Sequence, residues 1–241
     1  MTVRQPPDAR LCPGAVVRWL TPLLSEHRRR RIERVVRRRL CSVTVVLEQL
    51  YDPHNGAAAL RTAEALGLLH VHVVEGATPF RVSRKVSQSA HKWLDVRRHA
   101  SVADCVAQLR AAGFVSWAAI PPDLGRAREL PRGAAVEVDA TRPVALLVGN
   151  EHGGLSEEAL AAADRRCSVP MDGFTESFNL SVAVALSLQQ VVARRRRHLG
   201  RRGDLPPWAI DRLRAAYYGQ STPHAADVIL RHLRAGARAT R

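Results

Sequence analysis

From residue 43 onward the chain alternates short runs of β-branched and aliphatic residues with helical stretches, and few folds accommodate that rhythm. The β-rich runs are Val43–Leu47, Val71–Val74, Trp93–Val96, Phe114–Ala119, Val144–Val148 and Cys167–Val169. Between them, helical spacing marks Ala57–Leu66, Val102–Ala112 and Glu157–Ala163, the first two closed by Gly67 and Gly113. Glycine readily takes the left-handed turn that ends a helix. Strands apolar on both faces, each followed by a helix, predict an α/β fold: a parallel sheet covered by helices on both faces.

The ends of the chain read differently. Residues 1–24 carry Pro6, Pro7, Pro13 and Pro22 without periodicity, so they are expected to form a flexible lead-in. Residues 25–40 predict an arginine-rich helix: Ile32, Val35, Val36 and Leu40 make one apolar stripe, and Arg28, Arg29, Arg30, Arg31, Arg34, Arg37, Arg38 and Arg39 crowd the rest. The alternating region spans 41–198 and ends in a long helix from about Leu180, broken by Gly200 and Gly203. Residues 199–241 predict a helical extension, with helices opening after Pro206-Pro207 and after Thr222-Pro223. Its stretch 204–235, about 30 residues, cannot bury a core of its own, so it is expected to pack on the core or on a second subunit.

Charge narrows the partners. There are 37 Lys+Arg against 22 Asp+Glu, a net +15, and Lys85 and Lys92 are the only lysines. Clustered arginine attracts polyanions by releasing their counterions, which makes Arg28, Arg29, Arg30, Arg31, Arg37, Arg38 and Arg39 candidates for contact with RNA. Aromatic residues are only 5%, so phosphate contact is expected rather than a base-stacking platform. No apolar run approaches the ~18 residues of a membrane span. Arg4, Asp8 and Arg10 interrupt any export signal, and a cytoplasmic protein without membrane contact is expected. Cys12, Cys41, Cys105 and Cys167 form no Cys-x-x-Cys pair, and no Cys/His group has the sequence spacing of a zinc site; no metal is expected.

Several nucleotide-handling designs are absent. No Gly-Lys-Ser/Thr occurs, which excludes the phosphate loop with its lysine. No two glycines are separated by a single residue, which excludes the dinucleotide fingerprint and its relatives. There is no Gly-x-Ser-x-Gly nucleophile turn.

Three segments carry polar residues where an open α/β sheet places ligands. The first, Asp52 to Gly67, leaves the strand Val43–Leu47 with Asn55 at a plausible helix cap and Arg61 further along a helix of small residues. In the second, the strand Val144–Val148 runs into Gly149-Asn150-Glu151-His152-Gly153-Gly154, placing an Asn-Glu pair at its carboxyl end. The third, Val169-Pro170-Met171 through Ser177, Phe178, Asn179 and Ser181, leads into the long apolar helix. Free N–H groups there attract anions.

In order and spacing these segments resemble the SPOUT class of methyltransferases, and within it the TrmH family of tRNA guanosine 2′-O-methyltransferases. The resemblance rests on Asn-x5-Arg (Asn55, Arg61), Gly-x-Glu-x-x-Gly (Gly149, Glu151, Gly154) and Pro-Met-x-Gly-x3-Ser-x-Asn-x-Ser (Pro170 to Ser181), and it extends through His91-Lys92-Trp93 and Thr141-Arg142-Pro143. It implies S-adenosylmethionine as cofactor and tRNA as substrate, methylated on the ribose of the D-loop guanosine at position eighteen. It further implies a homodimer with active sites at the interface, and a C-terminal trefoil knot. The family's catalytic positions fall on Arg61, Asn55, Glu151, Ser177 and Asn179, and its cofactor loops near Ala119, Gly149, Val169, Met171 and Phe178. Glu176 and Phe178 stand where Gln and Leu are expected. A ribosomal-RNA enzyme of the same class is the alternative, although such relatives usually carry an additional RNA-binding domain before the first motif, and only about forty residues precede the first strand here. A non-catalytic RNA-binding module that keeps only the fold is the other.

Overall fold

Val43–Glu48 (β1) is buried along its whole length, as expected of a central strand flanked by parallel neighbours. Residues 12–76, 80, 87, 89–121 and 138–239 are described by the computed structural model. Five more strands follow: β2 (His70–Val74), β3 (Asp95–His99), β4 (Val115–Ala119), β5 (Val144–Val148) and β6 (Arg165–Cys167). They form one sheet in the order β3-β2-β1-β5-β4-β6, every pairing parallel. Helices α3 (Pro53–Leu66) and α6 (Leu180–Leu199) cover one face; α4 (Val102–Ala111) and α5 (Glu157–Ala162) cover the other. Alternation within β1 divides the two cores: Val45 and Leu47 face α3 and α6, whereas Val46 faces α4. No helix among the described residues is long and apolar enough to cross a membrane.

Both edge strands are displaced from their sequence expectation. Residues Ala90–Trp93 form a 3-10 turn, and the strand is the polar Asp95–His99 rather than Trp93–Val96. At the other edge the strand is Arg165–Cys167, paired with β4, and Val169 lies outside it. Edge strands tolerate charge because one side lacks a neighbour, so an apolar run is a poor guide to their limits. Burial opposes ionisation of Asp164, which precedes β6. Hydrogen bonds from Ser116 N and Oγ (2.9 and 2.7 Å) and from Arg110 nevertheless hold its carboxyl below the usual carboxylate range.

The described residues before Leu40 and after Arg202 form a second compact unit, distinct from Leu40–Arg202. The flexible lead-in expected over 1–24 is corrected here. Pro13–Leu20 is a helix (α1) that buries Val16 and Leu20, and a 3-10 turn follows at Thr21–Leu23; Pro13 sits in the first turn, where its missing N–H costs nothing. The residues before Cys12 lie outside those described. Helix α2 (Glu26–Val36) is capped by Ser25, and α7 (Pro207–Ser221) and α8 (Ala225–Ala239) complete the unit. Arg214 on α7 grips Glu33 on α2 with two hydrogen bonds (2.6 and 3.1 Å). The arginine-rich segment therefore divides. Arg28, Arg30, Arg31, Arg37 and Arg38 are exposed and Arg29 is half-buried. Arg39 is 1% exposed, donates to Tyr217 Oη at 3.0 Å and lies over that ring. Its expected RNA contact is replaced by a structural role.

Candidate active site

The connections leaving β1 and β5 set the geometry of the site. These strands are neighbours, yet the chain leaves β1 for α3 on one face and leaves β5 for α5 on the other. Such divergence opens a crevice at the carboxyl ends of the strands.

Gly149, buried at the end of β5, begins a tight reversal in which Asn150 and Gly154 exchange backbone hydrogen bonds of 3.0 and 3.1 Å. Asn150 Oδ1 accepts from the backbone N–H groups of His152 and Gly153, and Gly154 adopts φ +67. The reversal presents Glu151 to the loop after β1. Asn55 Nδ2 donates to Glu151 Oε1 at 2.9 Å, and the backbone N–H of Tyr51 reaches Oε2 at 3.4 Å. Asn179 Nδ2 in turn donates to Asn55 Oδ1 at 3.3 Å. Asn179 also caps α6, accepting from Ser181 N (2.9 Å) and Oγ (2.6 Å). The cap of α6, the first turn of α3 and the loop after β5 are thus tied in one chain, Asn179–Asn55–Glu151.

Beside this chain lies a cavity whose walls include Ala119, Val148, Val169, Met171, Ser177 and Phe178. Of the five residues expected near a cofactor, Ala119, Val169, Met171 and Phe178 line it; Gly149 is sealed beneath the reversal instead. Ser168 Oγ, also in the wall, is buried with no hydrogen-bond partner among the described residues. A largely apolar wall with one orphaned hydroxyl suits a flat heterocycle bearing polar edges, and S-adenosylmethionine fits that description. Arg61 stands apart: it is exposed on α3 and makes no hydrogen bond or ion pair among the described residues.

Sequence reasoning missed Glu48. At the end of β1 and only 2% exposed, it accepts from Ser156 Oγ (2.6 Å) and Ser156 N (2.9 Å), while Ser156 caps α5. This clasp fixes the far end of the Glu151 loop against β1. Its signal was a lone acid closing an apolar strand, which periodicity alone leaves unassigned. Glu48→Ala is expected to lower the unfolding free energy by about 2 kcal/mol, read by urea denaturation, and to weaken cofactor binding with it.

Comparison with known proteins places this geometry. Residues 42–189 match the SpoU rRNA Methylase family. Over 165 residues the chain is 41% identical to the tRNA (guanosine(18)-2'-O)-methyltransferase of Thermus thermophilus, covering 68% of this chain and 81% of that one. The Escherichia coli protein of the same name is 36% identical, with 68% and 69% covered. Among solved structures, the Aquifex aeolicus TrmH/SpoU tRNA modifying enzyme superposes with a TM-score of 0.69 at 26% identity, over 82% of this chain and 98% of that one. The SpoU methyltransferase AviRb from Streptomyces viridochromogenes, in complex with the cofactor AdoMet, gives 0.53 at 29% identity, over 63% and 60%. The matched residues hold all six strands and the three loops that meet at their carboxyl edge, and the chain belongs to the SpoU methylase family.

Proposed function

We propose that this protein methylates a ribose 2′-hydroxyl of tRNA, at the guanosine 18 named in its relatives, with S-adenosylmethionine as donor. The observation that carries this reading is the Asn179–Asn55–Glu151 chain at the rim of the cavity. When bound, the cofactor supplies an activated methyl group to an incoming nucleophile; the walls formed by Ala119, Val169, Met171 and Phe178 would hold it. The remaining difficulty is the nucleophile, since a ribose hydroxyl is barely ionised at neutral pH. Asn55 and Asn179, held by Glu151 and by the start of α6, orient that hydroxyl, and Ser177 in the cavity wall helps to place it. Arg61 stabilises the developing alkoxide; a guanidinium keeps its proton in proteins and is a poor base.

A second copy of the chain completes the site in this reading. Val182 and Leu186, 44% and 39% exposed on successive turns of α6, offer an apolar face beside Asn179, and a homodimer would bring a partner's Arg61 to the rim. The segment leading from β6 into α6 forms the trefoil knot expected of the family. The enzyme works in the cytoplasm, where its substrate resides.

RNA binding is mainly electrostatic. Arg28, Arg30, Arg31, Arg37 and Arg38 form its exposed basic surface on and just after α2. Replacing Arg28, Arg30 and Arg31 together by alanine is expected to weaken tRNA binding and to reduce the slope of log K against log salt by about 2–3, measured by filter binding across a salt series. Unchanged slope would remove this surface from the interface. The activity itself is tested by incubating the protein with labelled donor and an unmodified tRNA transcript, then mapping alkali-resistant linkages. One resistant linkage, after the D-loop guanosine, is expected. Resistance only in a ribosomal-RNA transcript would redirect the substrate, and none in either would refute the reading.

A further inference from the structure

The face of the sheet opposite α3 and α6 carries a polar cluster that the methylation chemistry does not use. His70 and His72 on β2 stand beside Asp95 and His99 on β3, and Cys105 on α4 closes over them. Asp95 is engaged by His70 (3.1 Å) and Arg97 (2.9 Å). The other three side chains turn toward one another: His72 Nδ1 lies 2.8 Å from His99 Nε2, and the donor atoms of His72, His99 and Cys105 all fall within 4.8 Å of each other.

We propose that His72, His99 and Cys105 form a binding site for one zinc ion per chain, with a water molecule as fourth ligand, joining the edge strand β3 to β2 and α4. Imidazole and thiolate are the donors this ion prefers. Metal–nitrogen bonds of about 2.0 Å and a metal–sulfur bond of about 2.3 Å in a tetrahedron require donors roughly 3.3–3.7 Å apart. From 2.8 Å the two imidazole nitrogens would separate by about half an ångström, and the sulfur, within 4.8 Å of both ligand nitrogens, would close by about one ångström at most. His72 is ready to coordinate: burial, with His99 and Arg97 close by, holds its imidazole neutral, the pKa pushed down to about 3. Burial, then Arg97, also lowers His99.

Cys105 binds as its thiolate, so the metal displaces the thiol proton. Zinc(II) and the Cys105 thiol give a zinc–thiolate bond and one proton released to solvent, with no change of oxidation state. The surrounding charged and titratable groups are His70 and Arg97, both paired with Asp95, and Asp104, which draws His99 toward its protonated form. Half-buried His99 is the open side of the site. Sequence spacing could not announce this group, because residues 72, 99 and 105 meet only through the β2–β3 register and the position of α4.

Cobalt(II) titrated into the chelator-stripped full chain tests the site. The expected result is saturation at one equivalent, with a thiolate-to-cobalt charge-transfer band, intense tetrahedral d–d absorption, loss of both on adding zinc, and a melting temperature that rises with metal concentration. Cys105→Ser is expected to remove the charge-transfer band, and His99→Gln, at the half-buried position, to weaken cobalt binding about 100-fold. Wild-type protein showing no thiolate band would overturn the proposal. So would a band that survives in Cys105→Ser, or, should that variant not fold, undiminished affinity in His99→Gln.

Discussion

Gly149→Ala is expected to abolish cofactor binding and to lower the unfolding free energy by about 3–5 kcal/mol. A Cβ at this position would lie 1.9 Å from the carbonyl carbon of Gly154 and 2.1 Å from its oxygen and from Leu155 N. All three are backbone atoms of the reversal that presents Glu151, so no side-chain rotation can relieve the overlap. The loop must move as a whole, and the bonds from Asn55 and Tyr51 to Glu151 move with it. Gly153→Ala is the matched control, since its nearest neighbour would be Asn150 Oδ1 at 3.8 Å; it should change stability by less than about 0.5 kcal/mol. Calorimetric titration with S-adenosylhomocysteine, beside urea denaturation of both variants, separates the two outcomes. Equal behaviour would mean that the reversal is not the element that supports the site.

Arg61→Ala is expected to lower kcat by about 10²–10³-fold, the usual loss when one donor to a developing oxyanion is removed, and to leave S-adenosylhomocysteine binding intact. The separation follows from position: Arg61 is exposed, has no partner among the described residues and is absent from the cavity wall. Arg61→Lys should recover part of the rate without a new ionisation in the pH–rate profile, because a lysine there would also act as a fixed positive charge. Recovery accompanied by a lowered apparent pKa would show proton abstraction at this position instead.

The central architecture was legible because buried parallel strands are apolar on both faces, and β1, β2, β4 and β5 lie within a residue or two of their expected limits. Register and tertiary neighbours were not legible. β3 reads Asp-Val-Arg-Arg-His and owes its strand conformation to β2 rather than to its own composition. Pro13 and Pro22 suggested a loose segment, yet one opens α1 and the other a 3-10 turn. Arginine-rich composition gave no warning that Arg39 is enclosed beside Tyr217, 178 positions away. Nor could the Arg194–Arg197 run show that Arg195 is buried, bonded to Ser42 Oγ and to the carbonyls of Ala140 and Thr141. The motif residues did identify the loops that meet, since Asn55, Glu151 and Asn179 are linked by hydrogen bonds. Glu48 and the His72–His99–Cys105 group emerged only from three-dimensional contact.

Replacing the accepting guanosine of an otherwise unmodified tRNA by 2′-deoxyguanosine probes the chemistry with a single atom. Arg61, Asn55 and Asn179 are assigned to a ribose oxygen and to nothing on the base, so methyl transfer should vanish while tRNA affinity stays within about twofold, because phosphate contacts dominate binding. Methyl incorporation that persists on the deoxy substrate would place the acceptor on the base or on another nucleotide and contradict the account.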